Sequence, residues 1–384
     1  MKHLLTLWLL LATTTLWAQE PAQTPQTPDN SSVEQTPSVE SLAAEVADLQ
    51  EKTAKWEKVR KYLSVSGFVQ LGYEWSGSDL ESASTFFIKR ARVSLAGQLH
   101  RTVDYKLQVE FASPKIMDAY VRYKPLKQIN ISLGQQKLPF SIANCDYGPL
   151  TNEMIELPLI EQELVSNSER IGGYFDSETG EMTGGEVVKT SGRGLGATLY
   201  GGFIQKEGYS IINYNVGVFN TTGLNGKDIL LSKNVVGSLI LQPVKGLKLS
   251  GSYLWGEYGA DYLHRERYGT GVCYDEGKVV FRSEWMGGKT GYIDPYGDRG
   301  IIRSSGCYII GGWRFTSSLM GALRYDTILR DTRYKTSRQS NYTAGLVYQP
   351  IKYVRLQANY VYQDFAASRL MNTHQVLLMV SGIF

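Results

Sequence analysis

The sequence contains few cysteines and histidines and has no charge excess of one sign. Its three cysteines, Cys145, Cys273 and Cys307, are odd in number and far apart, which argues against a disulfide framework but leaves a single pair open. None of the four histidines has a recognisable catalytic neighbourhood, so the sequence predicts no enzyme, no metal site and no cofactor. A net charge of +3 gives no indication of nucleic-acid binding.

Long apolar runs are also missing. Only the start of the chain, with Lys2, the apolar residues 4–11 and the small residue Ala18, is typical of a signal peptide, predicted at residues 1–18. No later stretch approaches the roughly 20 apolar residues that a membrane-spanning helix requires. The sequence therefore predicts an exported protein without a helical anchor.

Two short regions precede the main part of the chain. Residues 19–37 are mostly Pro, Thr, Gln and Ser, so we expect a disordered linker. In residues 38–63 the period changes, because Leu42, Val46, Leu49, Thr53, Trp56, Arg60 and Leu63 are spaced by alternating steps of four and three. This pattern predicts a periplasmic helix that forms a coiled coil in an oligomer, packs under the following domain, or frays in solution.

From residue 64 to the C-terminus the period is two. Val65, Val69 and Leu71 fall on one face of the first predicted strand, while Ser66 and Gln70 fall on the other. Tyr and Trp cluster at strand ends, and short and long connections alternate, which favours a membrane barrel over a soluble sandwich. The mean hydropathy of −0.23 is compatible, because lipid-facing and lumen-facing residues cancel. We predict an all-β fold, a transmembrane antiparallel β-barrel of about sixteen strands over residues 64–384.

Two parts of the predicted barrel are distinctive. The last strand places Val376, Leu378, Val380 and Phe384 on one face, and a terminal aromatic residue is typical of outer-membrane barrels, so Phe384 is the predicted assembly signal. The connection over residues 139–192 is far longer than ordinary loops and is predicted either to enter the pore or to form an extracellular flap. It is rich in Asp and Glu, which would oppose the accumulation of anions.

Strand alternation also orients charged residues. Arg90 and Arg92 alternate with apolar residues in the second strand, and a guanidinium facing hydrocarbon costs on the order of 2–4 kcal/mol, so both should point inward. The same argument turns Asp118 and Arg122 of the fourth strand toward the lumen.

Three motifs resemble signature segments of the phosphate-selective porin O and P family. They are Phe87-Ile88-Lys89-Arg90-Ala91-Arg92, Asp118-Ala119-Tyr120-Val121-Arg122-Tyr123 and Gly134-Gln135-Gln136-Lys137-Leu138-Pro139-Phe140-Ser141. The resemblance covers Val65 to Ser141 and continues to Phe384 only in strand rhythm. It implies a sixteen-stranded, usually trimeric outer-membrane channel for anions, with Arg90, Arg92, Arg122 and Lys137 along its lumen.

The predicted pore-lining residues carry charges of both signs. The basic ones are Arg90, Arg92, Lys106, Arg122, Lys137, Arg282 and Arg324, and the acidic ones are Glu110, Asp118 and Glu284. A wall of mutually paired charges is the competing interpretation for most of them.

These observations predict a porin of the Gram-negative outer membrane with a periplasmic N-terminus. It would allow passive diffusion of small hydrophilic solutes, with a weak anion or phosphate preference. Expected partners are outer-membrane lipid, anionic solutes, the barrel assembly machinery and two further copies in a homotrimer. A structural or adhesive barrel is the alternative.

Overall fold

A computed structural model of the protein describes residues 39–78, 80–228, 231–259, 261–367 and 369–384. The predicted signal peptide and linker lie outside these residues. The chain divides into two units, residues 1–55 and 56–384. No helix in the described ranges is long and apolar enough to cross a membrane.

A single helix, α1 (Val39–Tyr62), occupies the region where the heptad pattern predicts one. It carries exposed ion pairs one turn apart, Lys52 with Asp48 at 2.6 Å and Lys55 with Glu51 at 2.9 Å. Such pairs stabilise a helix by only about 0.3–0.5 kcal/mol each. Whether α1 forms a coiled coil stays a prediction.

The second unit is a sheet of strands that follow one another along the chain. The barrel strands are β1 (Ser64–Gly77), β2 (Ser82–His100), β3 (Val103–Glu110), β4 (Lys115–Tyr123), β5 (Asn130–Lys137), β8 (Arg193–Lys206), β9 (Tyr209–Phe219), β10 (Asn234–Val244), β11 (Leu247–Tyr258), β12 (Leu263–Glu276), β13 (Val279–Ile293), β14 (Arg299–Arg314), β15 (Leu319–Leu329), β16 (Arg338–Ile351), β17 (Val354–Phe365) and β18 (Thr373–Ile383). A short 3₁₀ turn, Lys335–Ser337, precedes β16.

The long connection between β5 and β8 contains its own elements. These are the helices α2 (Ile142–Asp146) and α3 (Leu159–Leu164) and the hairpin β6 (Glu169–Asp176) and β7 (Glu181–Val188). We call residues 138–192 the inner loop.

Each barrel strand pairs antiparallel with its neighbours, and β5 pairs with β8 across the inner loop. β1 pairs with both β2 and β18, so the ladder closes. In the described part of the chain this gives a closed barrel of 16 strands. The prediction of an all-β antiparallel barrel is therefore confirmed.

Alternation separates the two faces of the wall. In β2, Phe86 and Ile88 are 83% and 61% exposed on the outside, whereas Arg92 is 8% exposed on the inside. Outward aromatic rings meet across neighbouring strands, as in the pair Tyr268 and Trp285 with centroids 5.6 Å apart. Aromatic residues of this kind are typical of the membrane–water interface.

The C-terminal residue closes the seam between β18 and β1. Gly67 N donates to Phe384 O at 2.9 Å, and Phe384 N donates to Gly67 O at 3.0 Å. The Phe384 ring covers Gly67 so closely that a Cβ at residue 67 would lie 2.4 Å from Phe384 Cζ. Only glycine at residue 67 lets the ring take this position.

We expect deletion of Phe384 to reduce the amount of folded barrel, because it removes two seam hydrogen bonds worth about 1 kcal/mol each, together with the ring. The measurement is the heat-modifiable band on unheated gels of outer membranes. Phe315→Ala removes an exposed aromatic residue away from the seam and serves as the control. Unchanged yield and mobility of the deletion variant would contradict a role for Phe384 in assembly.

Candidate functional site

The inner loop folds against the inner wall of the barrel. Its residues Ile142, Ala143 and Ile160 are all 0% exposed. It packs on inward-facing wall residues in one apolar cluster, whose members include Phe140, Met154, Ile160, Leu164, Phe219, Leu254, Met286, Tyr308 and Ile310. The flap alternative is therefore wrong for these residues, and the loop narrows the lumen.

The first contact with the wall is made by α2. Glu284 of β13 accepts hydrogen bonds from Ile142 N at 2.7 Å, Ala143 N at 3.0 Å and Ser141 Oγ at 2.9 Å. Tyr308 adds a fourth donor at 2.6 Å. Ser141 has a φ of 70°, an uncommon value for a residue other than glycine, and the Glu284 contacts hold it there.

Arginines of β13 and β15 bind the middle of the inner loop. Arg282 Nη2 donates to Glu153 Oε2 at 2.7 Å, and its guanidinium lies 3.6 Å from the centroid of the Tyr147 ring. Arg324 donates to the Glu156 carbonyl at 2.6 Å and to Asp326 at 3.0 Å. All three predicted residues on these strands, Arg282, Glu284 and Arg324, thus contact the loop and are buried instead of facing lumen water.

Ion pairs also hold α3 and the first strand of the β6–β7 hairpin against the wall. Glu169 of β6 is fully buried and bonds Arg265 at 2.6 Å and Arg267 at 2.8 Å. Burial alone would raise the pKa of Glu169, but the two guanidinium groups outweigh it and hold the pKa below its ordinary value. Glu163 likewise pairs with Arg330 at 2.5 Å.

These contacts change the electrostatic expectation for the loop. Glu153, Glu163 and Glu169 are each neutralised by wall arginines, and Glu156 pairs with Lys89. Although the loop is rich in Asp and Glu, these four carboxylates therefore do not form an acidic pore lining.

A polar cavity of about 240 Å³ remains between the inner loop and strands β2 to β5 and β8. We call it the basic pocket. Its charged lining consists of Lys89, Arg90, Arg92, Lys115, Lys137 and Arg193, opposed by Glu110 and Glu156. The pocket has more cations than carboxylates, so it attracts anions.

Several predicted residues meet in or beside the basic pocket. Arg92 pairs with Glu110 at 2.7 Å, and Arg90 donates to Gln70 at 2.9 Å. Lys137 Nζ donates to the carbonyls of Asn144 at 2.6 Å and of Cys145 at 3.3 Å.

Three predicted residues lie nearer the short turns. Lys106 pairs with Asp118 at 2.9 Å, and Arg122 pairs with Asp104 at 2.7 Å. These pairs agree with the competing interpretation of a mutually paired wall for this part of the lumen.

Three cations of the pocket are absent from the prediction. Arg193 pairs with Asp118 at 2.7 Å at the start of β8, where the preceding loop obscures the strand pattern. Lys89 is the extra residue of a bulge, since Gln70 pairs with Arg90 and Leu71 pairs with Ile88. Strict alternation with the inward-facing Arg90 and Arg92 would turn Lys89 toward lipid. Lys115 opens β4, beside a second bulge in the pairing of β3 with β4.

Sequence comparison supports the resemblance stated above. Residues 65–172 match the family described as phosphate-selective porin O and P. No curated protein matches the chain. The matched segment contains β1 to β5 and the inner loop as far as β6, and so most of the basic pocket.

Solved structures with similar folds are porins and outer-membrane channels. An anion-selective porin from Comamonas acidovorans has a TM-score of 0.61 at 12% identity, covering 84% of this chain and 99% of that one. The outer membrane channel DcaP of Acinetobacter baumannii has 0.59 at 15% identity, covering 84% and 97%. Salmonella typhi OmpF has 0.60 at 12% identity, covering 84% and 97%.

The identities are low, so these structures establish the fold. Together with the family match they confirm the prediction of an outer-membrane porin channel.

We expect Arg282→Leu to loosen the inner loop, because it leaves the Glu153 carboxylate buried without its ion partner. Breaking a buried pair in this way costs about 3–5 kcal/mol. The measurement is amide hydrogen exchange of the peptides that cover residues 147–160. Arg299→Leu removes an exposed pair with Asp261 at 3.8 Å and should change exchange little. Equal protection of the loop in both variants would rule out this tether.

Proposed function

We propose that this porin admits small hydrophilic solutes by passive diffusion and favours anions at the basic pocket. The observation that carries the proposal is the lining of the pocket, where six cations face two carboxylates. The pocket lies between the inner loop and the wall, and we propose that permeating ions pass along it, closer to these charges than the screening length. Screening by physiological salt acts over about 8 Å and is weak at such distances.

The preference is expected to be modest. Arg92, Arg193 and Lys89 each have a carboxylate partner. In the described ranges Arg90 and Lys115 have no carboxylate within the ion-pair distance of 4.0 Å. Lys137 also has no carboxylate at this distance, but its ammonium group donates to the backbone carbonyls of Asn144 and Cys145. Arg90 and Lys115 therefore supply most of the positive charge that is free to act on an anion.

We expect the double variant Arg90→Gln and Lys115→Gln to shift the reversal potential in a salt gradient toward cations, more at low salt than at high salt. Both replacements leave the Arg92–Glu110 pair intact, so the wall should remain folded. The measurement uses purified protein in planar bilayers. Lys245→Gln with Lys352→Gln removes the same charge from outside the pocket and serves as the control. Wild-type selectivity of the first variant would contradict the anion preference, and a wild-type protein that does not conduct would favour a structural barrel.

We infer from the porin fold and the family match over residues 65–172 that the chain acts as a channel and not as an enzyme. His264 contacts Glu266 at 3.2 Å, His374 contacts Tyr360 at 2.6 Å, and His100 contacts Thr102 at 3.0 Å. In the described part of the chain none of these rings is hydrogen-bonded to a serine that it could activate.

We also propose that the protein is a homotrimer with a periplasmic N-terminus. β1 begins directly after α1, at the end of the barrel where the connections between strands are short. Short turns are typical of the periplasmic side. Three heptads associate weakly, so barrel contacts should supply most of the trimer stability.

We therefore expect removal of residues 20–62 to leave a conducting pore with a less stable oligomer. The measurement is the dissociation temperature of the oligomer on unheated gels, with conductance as the control for folding. A strictly monomeric product would instead make α1 the main assembly element.

A further inference from the structure

Glu161 of α3 is the exception among the carboxylates of the inner loop that reach the wall. Its side chain is 0% exposed, and neither carboxylate oxygen has a hydrogen-bond partner in the described ranges. Glu153, Glu163 and Glu169 each bond an arginine. Burying an ionised carboxylate without a hydrogen-bond partner has a large free-energy cost, and a buried polar group without a partner requires a specific explanation.

The groups around Glu161 have other partners. α3 packs against β13, β14, β15 and β6. The charged groups of these and the neighbouring elements that act on Glu161 are Glu284, Lys137 and Arg282. Other titratable groups near α3 are Tyr308, Cys145, Asp326, Arg324 and Glu169. Arg282 binds Glu153, Arg324 binds Asp326, and Lys137 binds the carbonyls at the end of α2. None of these cations donates to Glu161.

The neighbouring carboxylate, Glu284, is the one that has hydrogen-bond donors. It accepts four hydrogen bonds, two from backbone N–H groups and two from hydroxyls. Hydrogen bonds of this kind favour the ionised form. The Ser141 hydroxyl lies near Glu161 and favours its ionised form, but it donates its proton to Glu284 Oε2 at 2.9 Å. Glu161 is therefore the carboxyl left without a donor. Burial, with the nearby Glu284 carboxylate as the second cause, raises the pKa of Glu161 to about 8.

We propose that Glu161 is a proton-operated latch of the inner loop. With a proton on Glu161 the α3 segment is firmly docked on the wall, and loss of that proton loosens the segment. The proposal builds on the proposed channel function, because the inner loop narrows the pore and its docking would set the effective width.

The direction of the pH dependence follows from the two states. In a loosened, hydrated loop the Glu161 carboxyl titrates near its ordinary pKa of 4.5, and in the docked loop near 8. Below the lower value it is protonated in both states, and docking is strongest. Between the two values docking weakens by up to about tenfold per pH unit, and above the higher value it levels off.

The test compares wild type with Glu161→Gln, an uncharged side chain of the same shape. Amide hydrogen exchange of peptides covering residues 153–166 is measured at matched pH values between about 5 and about 9, so that the intrinsic chemical rates cancel. We expect the ratio of wild-type to variant exchange in these peptides to rise by up to about tenfold per pH unit until about pH 8. Peptides from β13 should show a constant ratio and act as the internal reference.

A matched control lies on the same helix. Glu163→Gln weakens the pair with Arg330 but leaves the buried carboxyl of Glu161 in place. It should speed exchange of the loop and retain the pH dependence of wild type. Glu161→Leu, which also cannot ionise, should abolish that dependence and covers the possibility that the glutamine variant folds poorly.

Two results would overturn the latch. One is a wild-type loop whose exchange relative to β13 is independent of pH across the range. The other is a pH dependence that persists in Glu161→Leu, which would assign it to another group. Neither result depends on ion flow, so a failure of the anion-preference experiment is distinguishable from a failure of the latch.

Discussion

The structure depends on the closure of the β1–β18 seam. In hydrocarbon no water is present to bond an open sheet edge, so each backbone N–H and C=O of the wall must find a partner within the sheet. The antiparallel ladder meets this requirement along every strand, and the pairing of β18 with β1 removes the last free edges. Closure also creates an inside and an outside. Each strand must then alternate between lipid-facing and lumen-facing side chains, and the charged residues of the lumen follow from that alternation.

The inner loop turns this enclosed space into a channel with two different faces. Arginines of β12, of β13 and of the residue after β15 bind the loop carboxylates Glu169, Glu153 and Glu163. Glu284 and Asp326 bind loop backbone N–H groups. Buried pairs like these are strongly destabilising to break, although their net contribution is small. They act mainly by determining where the loop lies. On the side of β2 to β5 and β8, Arg90 and Lys115 face the remaining space without carboxylate partners at ion-pair distance, and this side forms the basic pocket.

The same docking leaves one carboxylate of the inner loop buried without a partner. Glu153, Glu163 and Glu169 each bond a wall arginine, whereas neither oxygen of Glu161 has a hydrogen-bond partner in the described ranges. A carboxyl in that position makes docking sensitive to protons, whereas a glutamine or an apolar residue would not. Glu161 is thus the carboxyl of the inner loop at which, in our proposal, the docked state responds to protons.

The sequence alone determined the barrel, because few folds other than a β-barrel place a polar–apolar period of two, repeated over residues 64–384, in a membrane. It also determined that Arg90, Arg92, Asp118 and Arg122 face inward, since alternation is a local property of a strand. Alternation alone does not predict the bulge that turns Lys89 inward. One inserted residue reverses the alternation, and the position of the insertion depends on how β2 pairs with β1.

Only the tertiary structure decided which charges face water. Arg282, Glu284 and Arg324 have the alternation of pore-lining residues, yet the inner loop covers them. The loop residues that do so are more than a hundred positions away in the chain. Local periodicity reports which side of the wall a residue is on. It cannot report what a distant segment places against that side, because the match between loop carboxylates and wall arginines exists only after the barrel has closed around the loop.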